Sequence, residues 1–164
     1  TTLSWKNLVL NALIDVRYGG QFLSMTDAYA TGAGNSKRTL NGRDGMVVNG
    51  IVESTGQENT KQITAQEYYA TIAGTYPVGE EFLHDATYVK LRELKIGYTL
   101  PKKWLKNTPL KNVSVSAFGR NLFIWTDVPN IDPEVASYDG QLKGIETMSL
   151  PSTRSFGFNL NVTL

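Results

Sequence analysis

Apolar and polar residues alternate along four segments of the chain, most regularly in RSFGFNLNVTL at residues 154–164. Every even position from Phe156 to Leu164 is apolar, and every odd position there is polar or glycine. Side chains of a β-strand point alternately to its two faces, so this pattern indicates a strand with one apolar and one polar face. The alternation predicts strands at residues about 3–26, 86–100, 110–126 and 152–164.

The predicted strands are long, because each spans 13 residues or more, whereas strands of globular sheets are usually ~5–6 residues long. Such lengths suit a tilted strand that crosses a bilayer and extends beyond it. In the segment 86–100, Lys90 and Arg92 interrupt the apolar face that Leu94 and Ile96 continue. This interruption predicts that one end of the strand leaves the apolar environment.

The connections between the predicted strands differ in length. Residues 101–109 form a short turn, whereas 27–85 and 127–151 are long. Long and short connections alternate along the chain, so they lie at opposite ends of an antiparallel sheet. This asymmetry is typical of membrane β-barrels, whose periplasmic turns are short and whose extracellular loops are longer.

The long connection 27–85 contains signals for structure of its own. Asn49-Gly50 lies between two short β-branched runs, which predicts a small hairpin. Thr64 and Glu67 have the spacing of a capping box, which predicts the start of a short helix. Connections this long are usually functional or packed against another element.

Composition narrows the function classes only a little. The net charge of +1, with 41% hydrophobic and 19% charged residues, gives no indication of nucleic-acid binding. The chain has no cysteine, which excludes a disulfide framework and thiolate metal sites. No run approaches the ~20 apolar residues of a membrane-spanning helix, and we expect no signal peptide in the first residues.

Candidate chemistry is sparse. The single histidine, His84, leaves almost no material for a histidine metal site or a Ser-His-Asp triad, so we expect no enzyme activity, metal or cofactor. Asp15, Arg17 and Arg120 fall on the polar strand faces. A structural ion pair is the favoured interpretation of these charges, and contact with cargo in a barrel lumen is the alternative.

Aromatic residues lie near the ends of the predicted strands. In a membrane barrel such residues form girdles at the level of the lipid headgroups, where the apolar part of the ring contacts lipid and its polar group contacts water. The predicted girdle residues are Trp5, Tyr18, Tyr98, Trp104, Phe123 and Trp125. Periodicity alone leaves a soluble antiparallel β domain open, but the aromatic positions favour a membrane barrel. Four strands cannot close a barrel, so the chain would supply one piece of a larger wall.

Three stretches carry a resemblance to a known family: FLHDATYVKLRELKIGYTLPKKWL, LKNVSVSAFGRNLFIWTDVPNIDPEV and LPSTRSFGFNLNVTL. Within them, Asp85 to Pro101, Gly119 to Thr126 and Asp132-Pro133-Glu134 follow motifs of that family in the same order. The chain resembles the C-terminal part of SusC/RagA-type TonB-dependent outer-membrane transporters of the Bacteroidetes.

This resemblance implies an all-β fold in which residues 1–164 supply the last four antiparallel strands of a transmembrane barrel of roughly 22 strands with a plugged lumen. It implies extracellular loops at about 27–85 and 127–151 and a periplasmic turn at 101–109. Such transporters import oligosaccharides or peptides across the bacterial outer membrane. The implied partners are the rest of the barrel and its plug domain, a SusD-like surface lipoprotein, the TonB complex, outer-membrane lipid and the cargo.

The final strand also resembles a barrel-assembly signal. The residues of that pattern are Ser155, Gly157, Leu160, Val162 and Leu164, and Leu164 replaces the usual terminal aromatic residue of the family. Two alternatives remain open for the function. The first is a soluble antiparallel β domain such as a carbohydrate-binding module, and the second is a passive porin-like channel without a plug or a lipoprotein partner.

Overall fold

A computed structural model describes residues 1–136 and 143–164. The chain divides into two compact units, which we call the sheet unit and the insert unit. The sheet unit comprises Thr1–Gly20, Ala86–Pro133 and Pro151–Leu164, and the insert unit comprises Gln21–Asp85 and Glu134–Leu150.

The described residues are mostly β structure. In chain order the strands are β1 (Thr2–Trp5), β2 (Leu8–Arg17), β3 (Gln21–Ser24), β4 (Met46–Val47), β5 (Gln62–Ile63), β6 (Leu83–Asp85), β7 (Tyr88–Thr99), β8 (Asn112–Trp125), β9 (Ile145–Glu146) and β10 (Ser155–Thr163). The helices are α1 (Met25–Gly32), α2 (Ala65–Ile72) and α3 (Lys102–Leu105), with short 3-10 helices at Lys37–Leu40, Gly79–Phe82 and Pro133–Ala136. Within the described ranges, no helix has both the length and the apolar composition needed to cross a membrane.

The sheet unit is built on a five-stranded sheet with the strand order β1-β2-β7-β8-β10. All of its neighbouring strands are antiparallel. The long strand β8 contains 14 residues and pairs with β7 on one side and β10 on the other. Among the described residues, β1 and β10 are the edges of the sheet, and each has a neighbour on one side only.

The single strand predicted at about 3–26 is wrong, because the structure divides this segment into β1, β2 and β3. A tight turn at Lys6 and Asn7 joins β1 to β2, and Lys6 there has a left-handed backbone with φ 53°. Gly19 and Gly20 follow β2 with φ of 76° and 88°, a conformation that interrupts a strand and that glycine adopts readily. Strand β3 belongs to another sheet, so the main sheet has five strands instead of the predicted four.

The interruption of the apolar face at Lys90 and Arg92 is a β-bulge. Ile14 of β2 lies opposite Leu91, while the neighbouring Leu13 lies opposite Glu93, so Arg92 is the extra residue. A bulge of one residue exchanges the faces on which later side chains lie. Leu91 therefore shares the apolar face with the other half of β7. The bulge explains the broken alternation by a register shift, and the prediction that this end of the strand leaves the apolar environment stays a prediction.

The insert unit contains a three-stranded sheet of order β6-β3-β9, in which β3 is antiparallel to β6 and parallel to β9. The predicted capping box is present at the start of α2, where Thr64 and Glu67 bond to each other's backbone N–H groups. Helix α1 begins at the N-cap Ser24 and was absent from the sequence prediction, because residues 25–26 were assigned to the first strand. The apolar core of this unit consists of Ala28, Ala65, Tyr69, Ile72, Ala73 and Phe82.

The hairpin predicted around Asn49-Gly50 is wrong in its pairing. Met46 and Val47 pair with Ile63 and Gln62, far beyond the predicted partners. The intervening residues turn back on themselves, because Asn59 N–H donates to the Gly50 carbonyl at 2.8 Å and Val52 N–H donates to the Gln57 carbonyl at 2.8 Å. The chain reverses direction between residues 52 and 57, so Asn49-Gly50 lies before the turn and not within it.

Candidate functional site

One face of the main sheet is apolar across neighbouring strands. Leu10, Ile96, Ala117 and Phe158 lie opposite one another in a single row that crosses β2, β7, β8 and β10. The exposed fraction is 86% for Phe158 and 64% for Leu160. Soluble monomers rarely expose so large a continuous apolar surface, so this face requires an apolar environment.

The predicted girdle residues lie at the two ends of this sheet. Trp5, at the end of β1, lies opposite Leu8, which is itself opposite Tyr98. At the other end, Trp125 lies opposite Val89, and its ring stacks on that of Phe123 at 5.8 Å between centroids. Tyr18 follows β2 at this second end, and Trp104 is in α3, which follows β7 at the first end.

The separation of the two aromatic levels fits the thickness of a membrane. Trp125 is opposite Val89, and the steps along β7 from Val89 to Tyr98 cover about 30 Å at ~3.3 Å per residue. If the strands are tilted by ~40°, the distance between the two groups of aromatic residues is about 23 Å along the membrane normal. This is close to the height of the apolar band in outer-membrane barrels, about 25 Å. The six aromatic side chains are 40% to 93% exposed. Their role as a girdle stays a prediction.

The opposite face of the sheet carries ion pairs between strands. Arg92 Nη2 lies 2.6 Å from Asp15 Oδ2, and the Tyr88 hydroxyl donates to the same oxygen at 3.2 Å. Arg120 Nε donates to Glu93 Oε2 at 2.8 Å. Two of the three charges singled out in the sequence therefore lie in ion pairs, with partners that the sequence did not indicate.

Arg17, the third of these charges, lies opposite Tyr88 at the end of β2. Its guanidinium lies beside Gly20, where an added Cβ would be 3.2 Å from Arg17 Nη2. Asp15 and Arg120 therefore have different ion-pair partners, Arg92 and Glu93. Contact of any of them with cargo stays a prediction.

A buried charge cluster in the sheet unit was missed by sequence reasoning. Lys90 Nζ lies 2.7 Å from the Asp132 carboxylate, and Ser152 Oγ donates to Asp132 Oδ2 at 2.8 Å. Lys90 is 4% exposed and Asp132 is 8% exposed. The cluster ties β7 to the two loop segments before and after residues 134–150. In the sequence, the only indication of this cluster was a lysine within a predicted strand.

The residues of the predicted assembly signal lie on both faces of β10. Leu160 and Val162 are on the apolar face and are exposed, as is Leu164 just beyond the strand. Ser155 lies opposite Arg120 on the other face. Gly157 lies opposite Phe118, and an added Cβ would be 2.5 Å from Phe118 Cζ. Glycine at this position therefore makes room for an aromatic ring of the neighbouring strand, and the assembly role stays a prediction.

In the insert unit, a buried carboxylate joins β9 to the start of α1. Glu146 accepts hydrogen bonds from Ser24 Oγ at 2.8 Å, Thr26 Oγ1 at 2.7 Å and the Ser149 N–H at 3.0 Å. Burial raises the pKa of the Glu146 carboxyl, but the bonds from Thr26, the Ser149 N–H and Ser24 outweigh it. The pKa of Glu146 consequently lies below its ordinary value.

We expect Glu146→Gln to open the junction of β3 and α1 more often near neutral pH. A folded-state pKa below the unfolded one means that the stabilisation is present above about pH 4.3, the ordinary glutamate value. It is lost as the pH falls through the folded-state pKa.

Hydrogen exchange of residues 23–27 in the full receptor should be about tenfold faster in the variant at pH 7, because the variant loses a hydrogen bond to a charged group. The ratio of the exchange rate in the variant to that in the unchanged receptor should approach one below the folded-state pKa of Glu146. The exposed Glu80→Gln is the control, and a ratio independent of pH would contradict the assignment.

His84 and Asp27 lie together inside the insert unit. His84 Nε2 is 3.3 Å from Asp27 Oδ2, and Arg38 Nη1 lies 4.0 Å from the same oxygen. Arg38 also bonds Glu81 at 2.6 Å. Among the described residues, no group of three or more His, Asp and Glu side chains is arranged to hold a metal ion.

Two curated proteins of Formosa agariphila are similar in sequence. The TonB-dependent receptor P3 is 29% identical over 168 residues, which covers 98% of this chain and 15% of that protein. The TonB-dependent receptor P26 is 29% identical over 98 residues, which covers 57% of this chain and 10% of that protein. No protein-family model matches the chain.

Solved structures of the RagAB peptide importer share the fold. In the open-open state the TM-score is 0.66 at 20% identity, with 98% of this chain and 16% of that chain covered. In the closed-closed state the TM-score is 0.64 at 19% identity, with 97% and 16% covered. The predicted resemblance to SusC/RagA-type TonB-dependent receptors is confirmed by these likenesses in sequence and in fold.

The location of the chain is the bacterial outer membrane, as predicted. This location explains why the apolar face of its sheet is exposed in the isolated segment, since lipid covers such a face. The segment spans 15% of the length of the curated relative that it matches over nearly its whole length. These relatives are receptors and transporters rather than enzymes.

Proposed function

We propose that the chain forms part of the wall of an active importer for oligosaccharides or peptides. In this proposal its sheet contributes the final strands of a barrel of roughly 22 strands, with a plug domain in the lumen. A SusD-like lipoprotein covers the outer mouth, and TonB supplies the energy. The insert unit, which contains the whole of the predicted loop 27–85 and most of the predicted loop 127–151, faces outward, and 101–109 faces the periplasm.

The apolar face of the main sheet is the single observation that supports this proposal most strongly. It is continuous over neighbouring strands, while the other face carries the Asp15–Arg92 and Glu93–Arg120 ion pairs. A lipid-facing outer surface and a charged, wet lumen require this division. The edge strands β1 and β10 also expose unpaired backbone groups, which in a membrane must pair with further strands.

The experiment compares uptake of labelled oligopeptides and oligosaccharides by cells that carry the full receptor, with and without TonB. We expect the receptor in the outer-membrane fraction, uptake of at least one cargo class, and loss of that uptake when TonB or the SusD-like lipoprotein is removed. Uptake that persists without TonB would establish a passive channel instead. A receptor found in the soluble fraction would contradict the membrane assignment itself.

A further inference from the structure

The insert unit contains a cavity of about 510 Å³ that no part of the proposed transport mechanism uses. It lies between the C-terminal end of α1, the segment around Thr39 and Arg43, and the first turn of α2. Protein pockets that bind small molecules have volumes of about 300–1,000 Å³. The cavity is therefore large enough for a terminal unit of an oligomer.

The walls of the cavity are held in place by hydrogen bonds. Thr39 is 4% exposed, and its hydroxyl donates to the Ser36 carbonyl at 2.7 Å and to the Gly34 carbonyl at 3.1 Å. The Tyr69 hydroxyl donates to the Arg38 carbonyl at 2.6 Å, which fixes the ring to the neighbouring segment. These bonds form the cavity before any ligand arrives, so binding has a small ordering cost.

Arg43 is the only charged residue among those that line the cavity. Its Nε donates to the Thr39 carbonyl at 3.1 Å, which fixes the orientation of the guanidinium. Within the described parts of the chain, no carboxylate lies within ion-pair distance of Arg43. The two terminal nitrogens are thus available as the paired donors that match the geometry of a carboxylate.

We propose that this cavity binds the terminal carboxylate of an incoming oligomer, with Arg43 as the recognising residue. Both the C-terminus of a peptide and a terminal uronic acid of a glycan carry this group. Gln66 also lines the cavity and supplies an amide that can donate to or accept from the adjoining unit. The inference rests on the proposed function, because it selects among the cargoes that the importer would accept.

The test measures binding to the purified full receptor in detergent by calorimetry. The probes are N-acetylated trialanine, its C-terminal amide, a disaccharide that ends in glucuronic acid, and the same disaccharide ending in glucose. We expect at least one acid to bind more tightly than its neutral counterpart. Arg43→Gln should weaken that binding about tenfold or more, which corresponds to about 1.4 kcal/mol, and should leave the neutral probe unchanged. Lys37→Gln, which removes an exposed cation of the same unit outside the cavity, should have no effect.

A second pair of variants tests the cavity itself. Gln66 and Ala70 are both exposed positions of α2, but only Gln66 lines the cavity. Gln66→Trp should fill it and abolish binding of the acid, whereas Ala70→Trp should not. Equal binding of acid and neutral probes, no binding of any probe at millimolar concentration, or full binding by Arg43→Gln would each overturn the proposal. Preference for trialanine or for the glucuronic-acid probe identifies the source of the carboxylate.

The two proposals fail in different ways. If the importer function is wrong, uptake is independent of TonB or absent for every cargo. If only the carboxylate site is wrong, TonB-dependent uptake remains, and the binding affinities of acid and neutral probes coincide.

Discussion

Phe158→Lys should sharply reduce the amount of folded receptor in the outer membrane. Phe158 lies on the apolar face of β10 opposite Ala117, and its side chain is 86% exposed to the environment that we assign to lipid. A lysine on the lipid side of a barrel costs up to about 2–4 kcal/mol at the bilayer midplane. Because the affected strand is an edge of this sheet, we expect the loss at the stage of insertion. The measurement is the fraction of heat-modifiable, folded receptor in isolated outer membranes.

The neighbouring residue supplies the matched control. Asn159 lies opposite Ser116 on the other face of the same strand, so Asn159→Lys introduces the same charge one position away on the face that we assign to the lumen. We expect Asn159→Lys to leave most of the receptor folded, and Leu160→Lys to behave like Phe158→Lys. Similar losses at all three positions would contradict the assignment of faces.

Lys90→Met should destabilise the receptor strongly, because it removes the ammonium group that pairs with the buried Asp132 carboxylate. Lys90 and Asp132 are 4% and 8% exposed, with 2.7 Å between the ammonium and the carboxylate. Removal of one partner of a buried ion pair typically costs about 3–5 kcal/mol. The expected result is a marked fall in the thermal midpoint of the purified receptor in detergent.

Two further variants separate the lost ion pair from a general effect of losing a lysine. Lys95 lies on the same face of β7, opposite Asn11, and is only partly buried, so Lys95→Met should have a small effect. The double variant Lys90→Met with Asp132→Leu removes both charges and should recover much of the stability. A double variant no more stable than Lys90→Met alone would show that the pair is not the source of the loss.

Strand faces were predictable where the pattern is local. In β10 the apolar positions alternate with Gly157, Asn159 and Asn161, and the two sides of the strand follow directly from the period of the backbone. The position of aromatic residues at the ends of the sheet was also predictable, since Trp5 and Trp125 lie near the ends of predicted strands in the sequence.

Register changes and reversals were not predictable in the same way. The break in alternation at Lys90 and Arg92 was visible in the sequence, but its cause, a bulge at Arg92, depends on how β7 pairs with the distant residues of β2. The turn at Lys6 and Asn7 lacks the glycine that usually signals a two-residue hairpin, so the first hairpin was assigned as one strand.

The sequence by itself determined the β class, the long strands, the apolar and polar faces of β10, and the resemblance to the receptor family. These properties follow from the order of residues along one strand or from motifs in one stretch. Only the tertiary structure decided which charges meet: Ser24 bonds Glu146 from 122 positions away, and Lys90 bonds Asp132 from 42. The same holds for the cavity beside Arg43, because its walls come from separate elements whose approach depends on packing.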